Sequence, residues 1–246
     1  MSAGITLATA SRILRQLRGD HRTIALMIVV PCVLIGLLAW VYKDSPVPIF
    51  DRIGAPLLGV FPAVVMFIVT SVATLRERTS GTLERLLTTP MGKGDFMLGY
   101  ALSFGVMAVI QALVATTFAV WVCGLDIAGP LWLLVVVALL DALLGTALGL
   151  LASGFARTEF QAVQFMPAFI LPQFLLCGLL ASRDTLPTGL KEISDVLPLS
   201  YAVDAMKELT TNSDPLPNTW SALLIVAGWI VVSLALGSLT LRRRTP

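Results

Sequence analysis

The residues able to do chemistry are few and lie far apart. Asp141 is an acidic residue in the middle of an apolar run, Val135-Val136-Val137-Ala138-Leu139-Leu140-Asp141-Ala142. A carboxylate at the centre of a bilayer costs about 2.5–3.5 kcal/mol on insertion scales, so it needs a cavity, a partner or a proton. Two readings stay open for it: a group on a translocation path or proton relay, and an acid that joins two helices. Gln111, Gln164 and Gln173 are the uncharged polar side chains of two other apolar runs, and they suit either a cavity wall or interhelical hydrogen bonding. Pro167 and Pro172 are expected to bend the run that holds two of them, freeing carbonyls at Val163 and Ala168. Phe165 and Met166, in the same run, offer an adaptable apolar surface for cargo. With Gln111, Gln164, Gln173 and Asp141 they make up the candidate substrate path.

The second group is one contiguous stretch, Arg76-Glu77-Arg78-Thr79-Ser80-Gly81-Thr82-Leu83-Glu84-Arg85-Leu86-Leu87-Thr88-Thr89-Pro90. It places charges beside Leu83, Leu86 and Leu87 at helical spacing, the pattern of a short amphipathic helix at a membrane surface. Pro90 ends it and Met91-Gly92-Lys93-Gly94-Asp95 makes a turn, giving a loop over 76–95. Positive charge for topology alone requires neither the acids Glu77 and Glu84 nor the leucines, so the stretch reads as a docking handle for a partner outside the bilayer. Other chemistry is missing. No Gly-x-x-x-x-Gly-Lys-Ser/Thr occurs, so the chain is not expected to be an ATP-hydrolysing enzyme, and any nucleotide-driven motor is another polypeptide. His21 is the one histidine, and Cys32, Cys123 and Cys177 have no metal-like spacing, which excludes the usual metal sites. The cysteines read as small buried hydrophobes.

These residues have to be positioned by membrane helices. Of 246 residues 57% are hydrophobic and 13% charged, half the charged share of a soluble domain. The runs are too long and too uniformly apolar for barrel strands, so the fold class is all-α and polytopic. Six transmembrane spans are expected, at 23–42, 54–75, 96–122, 131–153, 161–181 and 219–241. Before them, 1–22 contains an interfacial amphipathic helix over 5–22. Its wheel puts Leu7, Ala10, Ile13, Leu14 and Leu17 on one side and Arg12, Arg15, Arg18 and Arg22 on the other. The run from Thr23 to Tyr42 is too long for a signal peptide and reads as an uncleaved first span. Gly145 and Gly149 form a Gly-x-x-x-Gly that permits close helix contact.

With the N-terminus inside, twelve Lys and Arg residues fall on the cytoplasmic side and five outside, which satisfies the positive-inside rule and leaves both termini cytoplasmic. Trp40, Tyr42, Trp121, Trp132 and Trp220 then fall at outer span ends, as an aromatic belt. The connection 182–218 contains two amphipathic pieces, one between Pro187 and Leu197 and one over Leu199–Leu209. They are expected to lie on, or dip into, the outer leaflet.

Taken together, three segments resemble permeases of the type-2 ATP-binding-cassette group, on the branch of daunorubicin-resistance-like antibiotic and polyketide exporters. They are Arg76-Glu77-Arg78 with Gly81-Thr82-Leu83-Glu84, Leu86 and Thr89-Pro90; Glu159-Phe160-Gln161-Ala162-Val163-Gln164-Phe165; and Leu197-Pro198-Leu199-Ser200-Tyr201-Ala202-Val203-Asp204-Ala205. The resemblance covers the whole chain as one transmembrane domain, 1–246. It implies that Arg76, Glu77, Arg78, Gly81, Thr82, Leu83, Glu84, Arg85 and Leu86 form a cytoplasmic coupling helix. Glu77, Arg78 and Glu84 would make charged contacts with an ATPase subunit, while Leu83 and Leu86 seat the helix. It also implies short outer re-entrant helices carrying Pro198, Leu199, Tyr201 and Asp204. The implied assembly has two ATPase subunits and a second permease subunit, identical or related, set among membrane lipids of the cell's inner or plasma membrane. This chain binds no cofactor, since ATP and Mg belong to the ATPase, and no nucleic acid. The function implied is export of a hydrophobic or amphipathic drug, polyketide or lipid-like compound. A proton-coupled secondary transporter using Asp141 is the alternative. A lipid-acting membrane enzyme would need an acidic, His or Ser cluster at one face, and the scattered acids do not supply it.

Overall fold

The computed structural model describes residues 2–80, 92–213 and 217–240, which fold into nine α-helices with no strand among them. They are α1 (Ala3–Gly19), α2 (His21–Val41), α3 (Ile49–Thr79), α4 (Lys93–Thr117), α5 (Leu131–Ser153), α6 (Glu159–Leu176), α7 (Thr188–Val196), α8 (Pro198–Thr211) and α9 (Pro217–Thr240). A π-turn, Phe118–Val122, extends α4, and one 3-10 turn covers Arg183–Thr185. Among the described residues five segments are long and apolar enough to cross a membrane: α2, α3, α4 with its π-turn, α5, and α9 from Thr219. The expected spans agree with these within a few residues, except that α3 continues to Thr79 as one 31-residue helix.

The pair at the centre is α3 and α5, with α4 and α9 against α5 and with α2, α6 and α8 against α3. Their closeness follows from the Gly-x-x-x-Gly. A Cβ on Gly145 would collide with the Ala63 backbone, and one on Gly149 with the Phe67 backbone and the Thr70 hydroxyl. The absent side chains let two helix backbones touch, the packing available where lipid offers no hydrophobic drive between helices.

Two expectations need correction. The fifth run does not stay helical to residue 181. It carries Pro167 and Pro172 inside α6 but ends at Leu176, where the Cys177 N–H donates to the Gln173 carbonyl and Gly178 turns the chain with φ +85°. That left-handed conformation favours glycine and stops the helix. The N-terminal helix spans 3–19 rather than 5–22, and its wheel partition is different. Thr6, Thr9, Ala10, Ile13 and Leu17 are buried, whereas Leu7 is 62% exposed. The small threonines win because α1 lies close against α4: a Cβ on Gly99 would meet Thr9, and Ser103 Oγ donates to the Ala10 carbonyl at 3.0 Å. Asp20 then breaks the helix and caps α2, accepting from the Thr23 N–H at 3.1 Å and hydroxyl at 2.6 Å, so Arg22 belongs to α2.

Candidate functional site

At the arginine-rich end of the bundle four helices converge on the last turn of α3. Arg76 donates from Nε and Nη2 to both carboxylate oxygens of Glu159, at 2.7 and 2.9 Å. Glu159 opens α6, whose N-cap Thr158 accepts from the Gln161 N–H. The next residue, Glu77, accepts from Arg12 Nη1 of α1 at 3.1 Å, and Tyr100 of α4 lies beside that pair. Arg78 donates to the carbonyls of Ser153 and Gly154. Those belong to the end of α5, where unpaired carbonyls and the helix dipole favour a cation. Three consecutive residues thus tie α3 to three other helices.

The electrostatics fit these contacts. Hydrogen bonds from Arg76 hold the Glu159 carboxyl below its ordinary pKa. Burial works against the charge on Arg12, but Tyr100 and Glu77 outweigh it and raise its pKa. The Arg12–Glu77 pair is the drier of the two, with side chains 27% and 13% exposed against 62% and 50% for Arg76–Glu159. At the start of α4 Asp95 gathers a second knot. It accepts from the Gly92 N–H at 3.0 Å, the Ser2 N–H at 2.9 Å and the Thr6 hydroxyl at 3.1 Å, so the start of α1 is pinned to the start of α4. The rest of the expected coupling helix, Gly81, Thr82, Leu83, Glu84, Arg85 and Leu86, lies outside the described residues.

The candidate path residues are not brought together. Asp141 is 2% exposed, takes part in none of the five ion pairs among the described residues, and packs against Gly59 of α3 beside Met206 of α8. Gln111 donates at 2.6 Å to the Met27 carbonyl of α2. That carbonyl is the one Pro31, having no N–H, leaves without its helical partner. Gln173 bonds its own helix at Phe169 and accepts from the Leu199 N–H at 3.4 Å, joining α6 to α8. Gln164 faces outward from α6, while Phe165 and Met166 pack partly buried against the core.

At the opposite end Pro198 opens α8 and Leu199 is buried. The Tyr201 hydroxyl donates to the Asp195 carbonyl at 2.6 Å. Arg183 forks onto Asp195 and Asp204 and lies over the Tyr201 ring, 5.6 Å from its centre. Lys207 donates to the Gly178 carbonyl. Burial lifts Asp204 above its ordinary pKa despite Arg183. These bonds staple the end of α6 to α7 and α8. Trp40, Trp121, Trp132 and Trp220 are exposed at this end.

A family model described as ABC-2 type transporter matches residues 5–209. The chain belongs to the ABC-2 type transporter family. It is 27% identical over 167 residues to the probable multidrug ABC transporter permease YbhR of Escherichia coli (strain K12), an alignment covering 68% of this chain and 45% of that protein. The linearmycin resistance permease protein LnrN of Bacillus subtilis (strain 168) is 26% identical over 168 residues, covering 68% and 43%. ABC transporter G family member 20 of Dictyostelium discoideum is 25% identical over 178 residues, covering 72% and 24%. The ABC-2 chain thus spans less than half the length of these relatives. It is a multi-pass membrane protein of the permease type.

Four residues of this ABC-2 chain went unseen as site residues in its sequence: Arg12, Asp95, Glu159 and Arg183. Arg12 and Glu77 are 65 residues apart, and Arg76 and Glu159 are 83 apart. No local period records such pairs. The available signal was charge placement for Asp95, Glu159 and Arg183, each within a few residues of the end of an apolar run, whereas Arg12 lies in the middle of α1.

Proposed function

We propose that this chain is the membrane-spanning subunit of an ATP-driven exporter, driven by a separate ATPase through the loop 76–95. The observation that carries the reading is the convergence of α1, α5 and α6 on Arg76, Glu77 and Arg78. A push on the segment that follows Ser80 reaches three other helices at once through ion pairs and helix-end carbonyls. Family membership supports it, as do relatives named for multidrug and linearmycin resistance. ATP and Mg reside on the partner ATPase, of which two copies serve two permease subunits. The cargo is hydrophobic or amphipathic.

In this reading α6 supplies a sixth crossing, α1 lies at the inner interface, and α7 and α8 dip into the outer leaflet. Both termini are cytoplasmic, in keeping with the twelve-to-five distribution of Lys and Arg. Closure of the paired ATPases tilts the two bundles, and the cavity between them changes sides. A proton-coupled carrier built on Asp141 has less support, because Asp141 sits inside the α3–α5–α8 junction. The test is Glu84→Lys in the co-expressed complex. ATP hydrolysis is expected to continue while transport is lost. Unchanged transport counts against coupling at this segment.

A further inference from the structure

Beside the α3 brace is a hollow of about 540 Å³ walled by α1, α2, α3 and α4. Its inner wall is apolar, formed by Leu17, Val69, Val72 and Phe104, and its mouth carries Asp20, Glu77 and Arg76. On α3 the lining runs from Ile68 to Glu77, nine helical steps and so about 13 Å of helix. Leu26 also lines it and is exposed on the bundle surface, so the hollow opens sideways at the level where charged helix ends give way to apolar turns. The volume lies within the range of small-molecule sites.

The charges at the mouth are not all spent among the described residues. Both donors that Arg76 turns toward α6 are taken by Glu159. Glu77 gives Oε1 to Arg12, while its buried Oε2 holds no hydrogen bond. Asp20 accepts from Thr23 and joins none of the ion pairs among the described residues. Counting the groups they pair with, three carboxylates, Asp20, Glu77 and Glu159, meet two guanidiniums, Arg12 and Arg76, a net negative mouth that suits a ligand bearing positive charge. An anionic head would face both acids.

We propose that this hollow binds one amphiphile with an amine head, its apolar chain along α3 and α4 and its ammonium at Asp20 and Glu77. The site lies within one subunit, distinct from a cargo cavity between two. It goes beyond the exporter reading and rests only on the chain being a membrane protein. Its occupant touches the turn that bears Arg76 and Glu77, so binding stiffens the brace.

The test is thermal unfolding of the purified chain in a maltoside detergent with dodecylamine, dodecanol or dodecanoate. Dodecylamine is expected to raise the apparent Tm saturably, by about 5–10 °C at a hundredfold excess over Kd, with smaller effects from the other two. Asp20→Asn keeps an N-cap for α2 and is expected to reduce the dodecylamine shift to that of dodecanol. Val72→Trp fills the hollow and is expected to remove the shift. Equal shifts from all three compounds, an unchanged shift in Asp20→Asn, or a full shift in a folded Val72→Trp overturns the proposal. A parallel comparison of phosphatidylethanolamine with phosphatidylcholine, whose head has no N–H, separates the sources. A selective shift by phosphatidylethanolamine identifies an aminophospholipid, and its absence alongside the dodecylamine shift identifies a free amphiphilic amine.

Discussion

Glu77→Ala is the sharpest single perturbation of the brace, because the pair it breaks is the drier of the two. At 3.1 Å the gross attraction is about 5 kcal/mol at an effective dielectric of 20, most of it offset by desolvation. Only one of two possible prongs forms, since Arg12 Nε and Nη2 and Glu77 Oε2 are buried without hydrogen bonds. The loss on removing one partner therefore falls between the roughly 0–1 kcal/mol of an exposed pair and the 3–5 kcal/mol of a fully buried one, about 2 kcal/mol. For a chain of this length that is a fall of about 4–8 °C in apparent Tm. Glu159→Ala, at the wetter pair, is expected to cost under about 1 kcal/mol despite its two hydrogen bonds. The assay is tryptophan-fluorescence melting of the detergent-solubilised protein as a double-mutant cycle over Arg12→Ala and Glu77→Ala, with a coupling of about 1–2 kcal/mol expected. Additivity within about 0.5 kcal/mol, or Glu159→Ala proving costlier than Glu77→Ala, refutes the argument that burial ranks these pairs.

Three further outcomes follow from the same geometry. Gly149→Leu drives a side chain into the Phe67 backbone and is expected to cost more than about 3 kcal/mol, read as loss of the monodisperse peak in size-exclusion chromatography; normal elution and melting contradict the close α3–α5 contact. Gln111→Leu strands the Met27 carbonyl and is expected to lower stability by about 1–3 kcal/mol; equal melting of Gln111→Leu and the parent contradicts the role given to Gln111. For pH, the native pKa of Glu159 is depressed from its ordinary 4.5, so its contribution is present above that value and lost as pH falls through the native one. The Tm difference between the parent chain and Arg76→Ala should therefore shrink below about pH 4.5, by less than about 1 kcal/mol given the exposure of the pair; a difference that does not change with pH removes Glu159 as the partner.

The spans could be read from the sequence because apolar length is a local property: α5 falls at 131–153 in both sequence and structure, and α2, α4 and α9 agree within a few residues. Gly145 and Gly149 were legible for the same reason, being one face of one helix. What the sequence concealed was partnership. The wheel of α1 sorted residues by hydropathy, but its burial is decided by how closely Gly99 lets α4 approach, so threonines go in and Leu7 stays out. Arg12 looked like one of four headgroup-facing arginines until Glu77, 65 residues on, gave it a partner. For Gln111 interhelical hydrogen bonding was one of the two roles legible in the sequence and is the one it has, but nothing in its own run shows that the partner is the carbonyl left free by Pro31 on another helix. The α6 prolines pointed to a bend and the run was expected to stay helical to residue 181, yet the helix ends before Gly178, where the backbone itself turns left-handed.

The central claim is that this chain is moved by a separate ATPase. The most direct measurement is tag purification of the permease from its own host, identification of any P-loop ATPase that co-elutes, and reconstitution of the two in proteoliposomes with an assay of dye transport. The account predicts that the ATPase co-elutes and that transport requires ATP and stops with vanadate. A permease that elutes alone and moves the dye on a proton gradient without nucleotide contradicts it.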